Sequence, residues 1–283
     1  MIKEWIDQYK PKNSLQADQA LREIMQEIAL AGLTRGGFFE KAAFYGGTAL
    51  RIFHGLPRFS EDLDFSLLEP DPDFELQPFL DQMQEEFSAL GITITVAEKN
   101  KSNKTHIDSA FLKADTTWKE LVLKSIIRQE RTGSLPDIRI KLEVDTEPPL
   151  GFTTEENLLV KPYSFYVKCF SLPDLFAGKM HALLFRKWKN RVKGRDWFDL
   201  EWYIQKGVPL HLNHLQRRAM NSDDWDRTKM TRTHLIDLLT KKIRTVSFSN
   251  IREDIIRFIP DAKVVEIWSP EYFLDLIQKI KTV

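Results

Sequence analysis

Between residues 14 and 31 the apolar positions keep helical spacing. Ala17, Leu21, Ile24 and Ile28 fall at i, i+4, i+7 and i+11, with Ala20, Met25 and Ala31 beside them, which predicts an amphipathic helix packed across a sheet. The apolar run Ala42-Ala43-Phe44-Tyr45 then predicts a short buried strand ending at Gly46. A second helix is predicted over 77–90, with Phe79, Leu80, Met83, Phe87 and Leu90 as its buried side, Pro78 in its first turn and Gly91 closing it. Ile92-Thr93-Ile94-Thr95-Val96 is β-branched and alternating, which predicts a strand. Further strands are expected near 109–113 and 121–127. From Ile138 to Asp145 the alternation is strict. Ile138, Ile140, Leu142 and Val144 make one face, and Arg139, Lys141, Glu143 and Asp145 the other, until Pro148-Pro149 ends the strand.

Beyond residue 170 the period is helical throughout. Ser171-Leu172-Pro173-Asp174 has the pattern of a helix start, with a capping hydroxyl, an early proline and an acid three residues on. The helix is expected to reach about Trp188. Leu175, Phe176, Met180, Leu183 and Leu184 supply its core side, and Lys179, Ala182 and Arg186 share another face. A basic stretch with a Lys or Arg at every second position follows: Lys187, Lys189, Arg191, Lys193 and Arg195. It leads into Asp196-Trp197-Phe198-Asp199-Leu200, the expected start of another helix. Helical segments are also expected around 235–239, 251–259 and 272–280. The organisation predicted is α+β, with a sheet-bearing domain at 1–170 and a helical domain at 171–283, the active site lying in the cleft between them.

Composition narrows the function classes only a little. The chain has 283 residues with 41 basic and 41 acidic side chains, so bulk charge selects no partner and any nucleic-acid affinity must be local. Nineteen Phe and seven Trp fit a packed core and exclude a disordered chain. Cys169 is the single cysteine, which excludes an intramolecular disulfide and a cysteine-based zinc site. The N-terminus lacks the apolar core of a signal peptide, and no stretch reaches membrane-spanning length, so a cytoplasmic protein is expected.

The candidate chemistry lies in residues 46–65, GGTALRIFHGLPRFSEDLDF. The Gly46-Gly47 pair allows a sharp turn and close backbone approach to a ligand. Thr48 follows in a helix whose N-terminus offers N–H groups to phosphate. Asp62 and Asp64 point to one face of a strand, Leu63 and Phe65 to the other. Two carboxylates one strand repeat apart, beside a phosphate turn, suit Mg²⁺ carrying nucleotide phosphates. A lone Gly-Gly is common in loops and a lone Asp-x-Asp on solvated strand edges; their order, joined by Arg58-x-Ser60-x-Asp62-x-Asp64, favours chemistry.

This arrangement resembles motif I of the DNA polymerase β-like nucleotidyltransferases. The detailed form, GGTAL then Arg58, Ser60 and DLDF, is similar to the AbiEii/AbiGii-type toxin branch, whose type IV toxin–antitoxin members also carry K-x-x-A-L, then R, then R-D-x-x-D-L. Here those are Lys179-Met180-His181-Ala182-Leu183, Arg186 and Arg195-Asp196-Trp197-Phe198-Asp199-Leu200, so the likeness spans roughly 40–205. The resemblance implies a polymerase β-like mixed sheet with flanking helices and a C-terminal helical domain. It implies a metal site of Asp62, Asp64 and a third acid, with Glu143 fitting best and Asp145 the alternative. Acidic Thr146-Glu147-Pro148-Pro149 follows where a more basic continuation is the family pattern, and leaves that choice open.

The same resemblance implies Mg²⁺ or Mn²⁺ as cofactor and an NTP as donor. Gly46, Gly47 and Thr48 would cradle phosphates and Lys179 would neutralise them. Arg186 would do the same or serve the helix end, and Arg58 and Ser60 would hold the turn or contact the nucleotide. Asp196 is read as the functional acid, positioning Lys179, and Asp199 as a helix-start residue. The acceptor implied is RNA, such as a tRNA 3′ end, contacted by Lys187, Lys189, Arg191, Lys193 and Arg195. Trp188 is a candidate for stacking on bases, and Trp197 for a core anchor. A cognate antitoxin is the implied partner, in a toxin–antitoxin or phage abortive-infection setting. The rivals are a small-molecule, antibiotic-type nucleotidyltransferase and a catalytically weak pseudoenzyme that only binds nucleotide or nucleic acid.

Overall fold

The computed structural model describes residues 2–98, 107–114, 138–186, 193–226 and 229–283. Among them the fold is α+β, with ten α-helices and a seven-stranded mixed sheet. The chain forms two compact units. The first comprises Met1–Ala49, Ser60–Pro148 and Glu156–Cys169; the second comprises Leu50–Phe59, Pro149–Glu155 and Phe170–Val283.

The first unit opens with helices α1 (Ile2–Gln8) and α2 (Ser14–Arg35). Asn13 caps α2, its side chain accepting the N–H of Gln16. The predicted helix thus begins where expected and runs four residues further, to Arg35. Strand β1 (Ala42–Tyr45) leads into α3 (Gly46–His54), and β2 (Leu63–Leu67) carries the second acid. Helix α4 (Gln77–Ala89) packs on α2 so closely that a Cβ on Gly32 would stand 2.6 Å from the Cα of Met83. Strands β3 (Ile94–Glu98), β4 (Ile107–Ala114), β5 (Arg139–Asp145), β6 (Thr154–Leu159) and β7 (Phe165–Phe170) complete the sheet.

The sheet order is β3-β4-β5-β2-β1-β7-β6. β3 and β4, β4 and β5, and β2 and β1 pair antiparallel, while β5 with β2 and β1 with β7 are parallel. Phe44, Phe65, Val144 and Cys169 share the buried face. A cluster of Phe38, Phe39, Phe65 and Phe79 ring contacts fills the core at one end. β3 begins two residues later than the sequence places it. The strand expected at 121–127 lies outside the described residues, while the helix expected to reach about Trp188 ends at Phe185, where Arg186 turns to an extended conformation. β6 and β7 were not anticipated at all. Their signal was weak: Phe165, Val167 and Cys169 alternate over a single short run, and β6 at the sheet edge carries Glu155, Glu156 and Asn157 with little apolar pattern to read.

The second unit is helical from α5 (Leu172–Phe185) onward, through α6 (Gly194–Gln205), α7 (Leu212–Asn221), α8 (Arg232–Thr245), α9 (Phe248–Ile255) and α10 (Pro270–Ile277). Its core centres on the fully buried Trp268, whose indole N–H donates to Glu201 at 2.9 Å, and on Tyr203 stacked against Phe176 at 4.2 Å. Trp197 is buried among Phe248 and Phe273, the core role expected of it. Ser171 stands at the N-cap of α5, but its hydroxyl bonds the carboxylate of Asp174 at 2.9 Å and caps no backbone N–H.

Candidate active site

A turn and two strands build a carboxylate face in the first unit. Asp64 lies opposite Tyr45 of β1 on one side and opposite Glu143 of β5 on the other. Register neighbours on adjacent strands stand roughly 4.8 Å apart and point to the same face, so the Asp64 and Glu143 carboxylates project side by side. Leu63 with Leu142, and Phe65 with Val144, take the apolar face. Asp62 precedes Asp64 by one strand repeat. Asp145 lies opposite Ser66, one repeat beyond Glu143, and accepts the N–H of Glu147 at 3.2 Å. Of the two acids left open by the sequence, Glu143 is therefore the neighbour of Asp64.

Gly46 is required by both backbone and space. Its φ is +88°, and a Cβ there would stand 2.5 Å from Oδ2 of Asp64. The close approach that a glycine permits is made by the protein's own carboxylate, which sets Asp64 against the first turn of α3. Thr48 has its side chain engaged inside the protein. It is fully buried, and its hydroxyl donates to the backbone carbonyl of Asp62. The side chain thus fixes the acid-bearing segment, leaving only the backbone at this position for a phosphate. Gln26 on α2 steadies the same segment, donating to the carbonyls of Ser60 at 3.3 Å and Glu61 at 3.0 Å.

An all-carboxylate donor set fits a hard cation such as Mg²⁺, which takes oxygen ligands. The adjacent register of Asp64 and Glu143 lets two of these donors share one ion. Among the described residues, however, no three Asp, Glu, His or Cys side chains already converge as a cage. Glu143 is turned to Lys141, Oε1 to Nζ 2.5 Å, with both side chains 31% exposed.

The second unit holds an ion cluster. Asp199 on α6 is completely buried and accepts Nε and Nη2 of Arg58, each at 2.6 Å, and Nζ of Lys179 at 2.9 Å. Burial alone would raise this carboxyl, but the two cations and their hydrogen bonds overcome it and hold the pKa below the ordinary value. Two positive charges on one negative leave the triad with a net charge of +1. Arg58 is only 1% exposed, whereas Lys179 retains 15% exposure and, with three donors, has bonds to spare. Burial lowers the pKa of Lys193; Asp196 opposes this, and Arg195, Arg186 and Lys179 add to the lowering. Arg195 lies over the ring of Phe258, 4.2 Å from its centre. Lys187, Lys189 and Arg191 lie outside the described residues.

The model of the nucleotidyl transferase AbiEii toxins, a type IV toxin–antitoxin system, matches residues 28–278. The chain belongs to the AbiEii family. It is accordingly a nucleotidyltransferase of a toxin family. Two solved structures align with it, a candidate nucleotidyltransferase from H. pylori and JHP933 from Helicobacter pylori. They share 18% and 17% identity and TM-scores of 0.47 and 0.45, covering 89% of this chain in both cases and 93% and 90% of their own. No curated protein matches the chain.

Within this AbiEii chain the partner of Lys179 differs from the expectation. Asp196 was to position Lys179; the structure gives that contact to Asp199, one helical turn further on. Asp196 sits in the first turn of α6, its N–H bonded to the carbonyl of Lys193 at 3.1 Å. Asp199 is no helix-start residue but an interior one. The physical signal was present in the sequence. Asp199 is flanked by Phe198 and Leu200 and lies one turn before Tyr203, so it falls on the buried side of α6. An acid there must find cations or lose its charge. Arg58, left open between turn and nucleotide, spends its guanidinium on Asp199 and on the carbonyl of Phe59 at 3.1 Å. Arg186 is the exposed residue ending α5.

Proposed function

We propose that this protein transfers a nucleotidyl group from an NTP to RNA, such as a tRNA 3′ end, in a Mg²⁺- or Mn²⁺-dependent reaction. In this reading it acts in the cytoplasm as the toxin of a toxin–antitoxin or phage-defence pair, restrained by a cognate antitoxin. The observation that carries the chemistry is the side-by-side register of Asp64 and Glu143, with Gly46 opening a helix against Asp64.

Asp62, Asp64 and Glu143 would hold the cation, which when bound supplies charge neutralisation at the nucleotide phosphates. The N–H groups of the first turn of α3, at Gly46, Gly47 and Thr48, would donate to a phosphate oxygen. Lys179 would bind phosphate with the donors that Asp199 leaves over. Asp199 holds that lysine in position, and Arg58 first, with Lys179, keeps Asp199 charged. Glu143 would orient the acceptor hydroxyl for in-line attack on the α-phosphorus, with pyrophosphate leaving. The basic stretch of Lys187, Lys189, Arg191, Lys193 and Arg195 would contact the acceptor backbone.

The test is incubation of the full chain with total RNA and each labelled NTP in turn, with and without EDTA. Metal-dependent labelling of RNA is expected. Labelling of a small-molecule acceptor with RNA untouched would shift the reading to the antibiotic-type enzyme, and nucleotide binding without any transfer to a pseudoenzyme.

A further inference from the structure

The carboxylate face continues beyond Glu143 into a surface of opposite character. On β5, Lys141 and Arg139 precede Glu143 at successive strand repeats. On β4, Phe111 lies directly opposite Lys141 and Lys113 opposite Arg139. Register partners and alternate residues share one face, so these four side chains occupy the same face of the sheet as Asp64 and Glu143. Arg139 is exposed, and Phe111, Lys113 and Lys141 are half-buried. Arg22 of α2 donates to the carbonyl of Arg139 at 2.5 Å and anchors the start of this strand. We infer that the β4–β5 face formed by Phe111, Lys113, Arg139 and Lys141 seats the reacting end of a single-stranded RNA acceptor, delivering it to the Asp64–Glu143 carboxylates.

Charge, spacing and position all support that occupant. Three cations are brought together by the β4–β5 register in a chain with no net charge. Successive same-face residues on a strand are roughly 6.6 Å apart, comparable with the separation of phosphates along an extended nucleotide strand. A single aromatic ring among cations is the arrangement on which proteins stack unpaired bases while neutralising the backbone. The row ends at Glu143, and Lys141 already touches that acid. A phosphate drawing Lys141 away would release Glu143 for its partner Asp64, so acceptor binding and assembly of the acidic site would be coupled. The inference rests on the RNA-acceptor reading above, but it uses residues separate from the basic stretch at 187–195.

The test compares the parent with Lys113→Ala/Arg139→Ala and with Phe111→Ala, all as full chains with thermal melts as a folding control. Affinity for a labelled single-stranded RNA is measured against salt concentration, alongside affinity for a non-hydrolysable NTP. The double variant should weaken RNA binding and reduce the log–log salt slope by about 1.4, at roughly 0.7 per lost single-strand phosphate contact. Phe111→Ala should weaken binding about tenfold with the slope unchanged, as expected for loss of one stacked base. NTP affinity should not move in either. A double variant that binds and labels RNA as well as the parent overturns the inference alone. Equal loss of NTP affinity assigns the face to the donor nucleotide and also overturns it. A parent that neither binds nor labels RNA overturns the acceptor reading and this inference together.

Discussion

The two units treat their key acids in opposite ways. Asp64 and Glu143 lie half-buried on a sheet face, one held against a glycine and the other against the half-buried Lys141. Asp199 is sealed inside a helical core with two cations bonded to it. Burying an ion costs several kcal/mol, which is recovered only with well-placed partners. Asp199 has such partners, and its charge is committed to holding them. The sheet carboxylates remain accessible to solvent and to a cation. An acid that works on a ligand must stay accessible; an acid that positions a cation can be buried. Asp64 and Asp199 therefore fall into separate classes although the sequence presents both as acids in family motifs.

The largest difference should appear when each acid is neutralised. Asp64→Asn should lower nucleotidyl transfer by roughly three orders of magnitude, about 4 kcal/mol of barrier, because an amide is a poor ligand for a hard cation. Its melting temperature should hold or rise, as repulsion beside Glu143 is relieved. Asp199→Ala should do the reverse in stability, costing about 3–5 kcal/mol by stranding Arg58 and Lys179. Paired melts and transfer assays check both, and an Asp64→Asn protein that is active but unstable would erase the distinction between the two classes.

Lys179→Met sharpens the comparison inside the triad. Asp199 keeps both bonds from Arg58 in this variant, so the fold should persist while transfer falls by about tenfold or more. Unfolding as severe as that of Asp199→Ala would make Lys179 a structural residue. Gly46→Ala probes the sheet side, where a left-handed backbone and the Asp64 carboxylate both oppose a methyl group. Strain of about 1–3 kcal/mol is expected. Displacing the carboxylate should also lower transfer by about a hundredfold, readable as a fall in kcat with nucleotide affinity little changed.

How legible each region was follows from the same contrast. The strict alternation from Ile138 to Val144 placed Glu143 on the polar face, and it stands opposite Asp64 as that pattern allows. Helices α2 and α4 were readable because a long apolar stripe leaves little choice of face. Position along the chain says nothing of which strands become neighbours, so the sequence does not tell that Glu143 rather than Asp145 stands opposite Asp64. The Arg58–Asp199 pair joins residues 141 positions apart, and local spacing cannot report it. What could be read was that Asp199 faced the core. The bond from the Thr48 hydroxyl to the Asp62 carbonyl is not legible for a related reason: burial of a polar side chain next to a glycine turn is invisible until the turn is built.

Glu27 extends the comparison to a buried acid with no cation bonded to it. On α2 its Oε2 is buried and has no hydrogen-bond partner among the described residues. Burial first, and then the neighbouring Glu23, raise its pKa from the ordinary 4.5 to about 7, with Lys161 opposing weakly. Below pH 4.5 both folded and unfolded chains hold this proton, and the stabilising effect of the raised pKa is fully present. Between pH 4.5 and 7 the unfolded chain releases the proton while the folded chain keeps it, so stability declines as pH rises. Above pH 7 both forms are ionised and the decline from this group ends. Glu27→Gln removes the ionisation altogether. It should therefore leave stability near parent at pH 4.5 and increase it by roughly 1–2 kcal/mol at pH 8, below the ceiling of about 3 kcal/mol that a shift of this size permits. Urea titrations at the two pH values measure the difference. An equal effect at both would mean that Glu27 stays charged in the folded protein, as Asp199 does, and that a cation is not needed to keep a buried acid ionised in this chain.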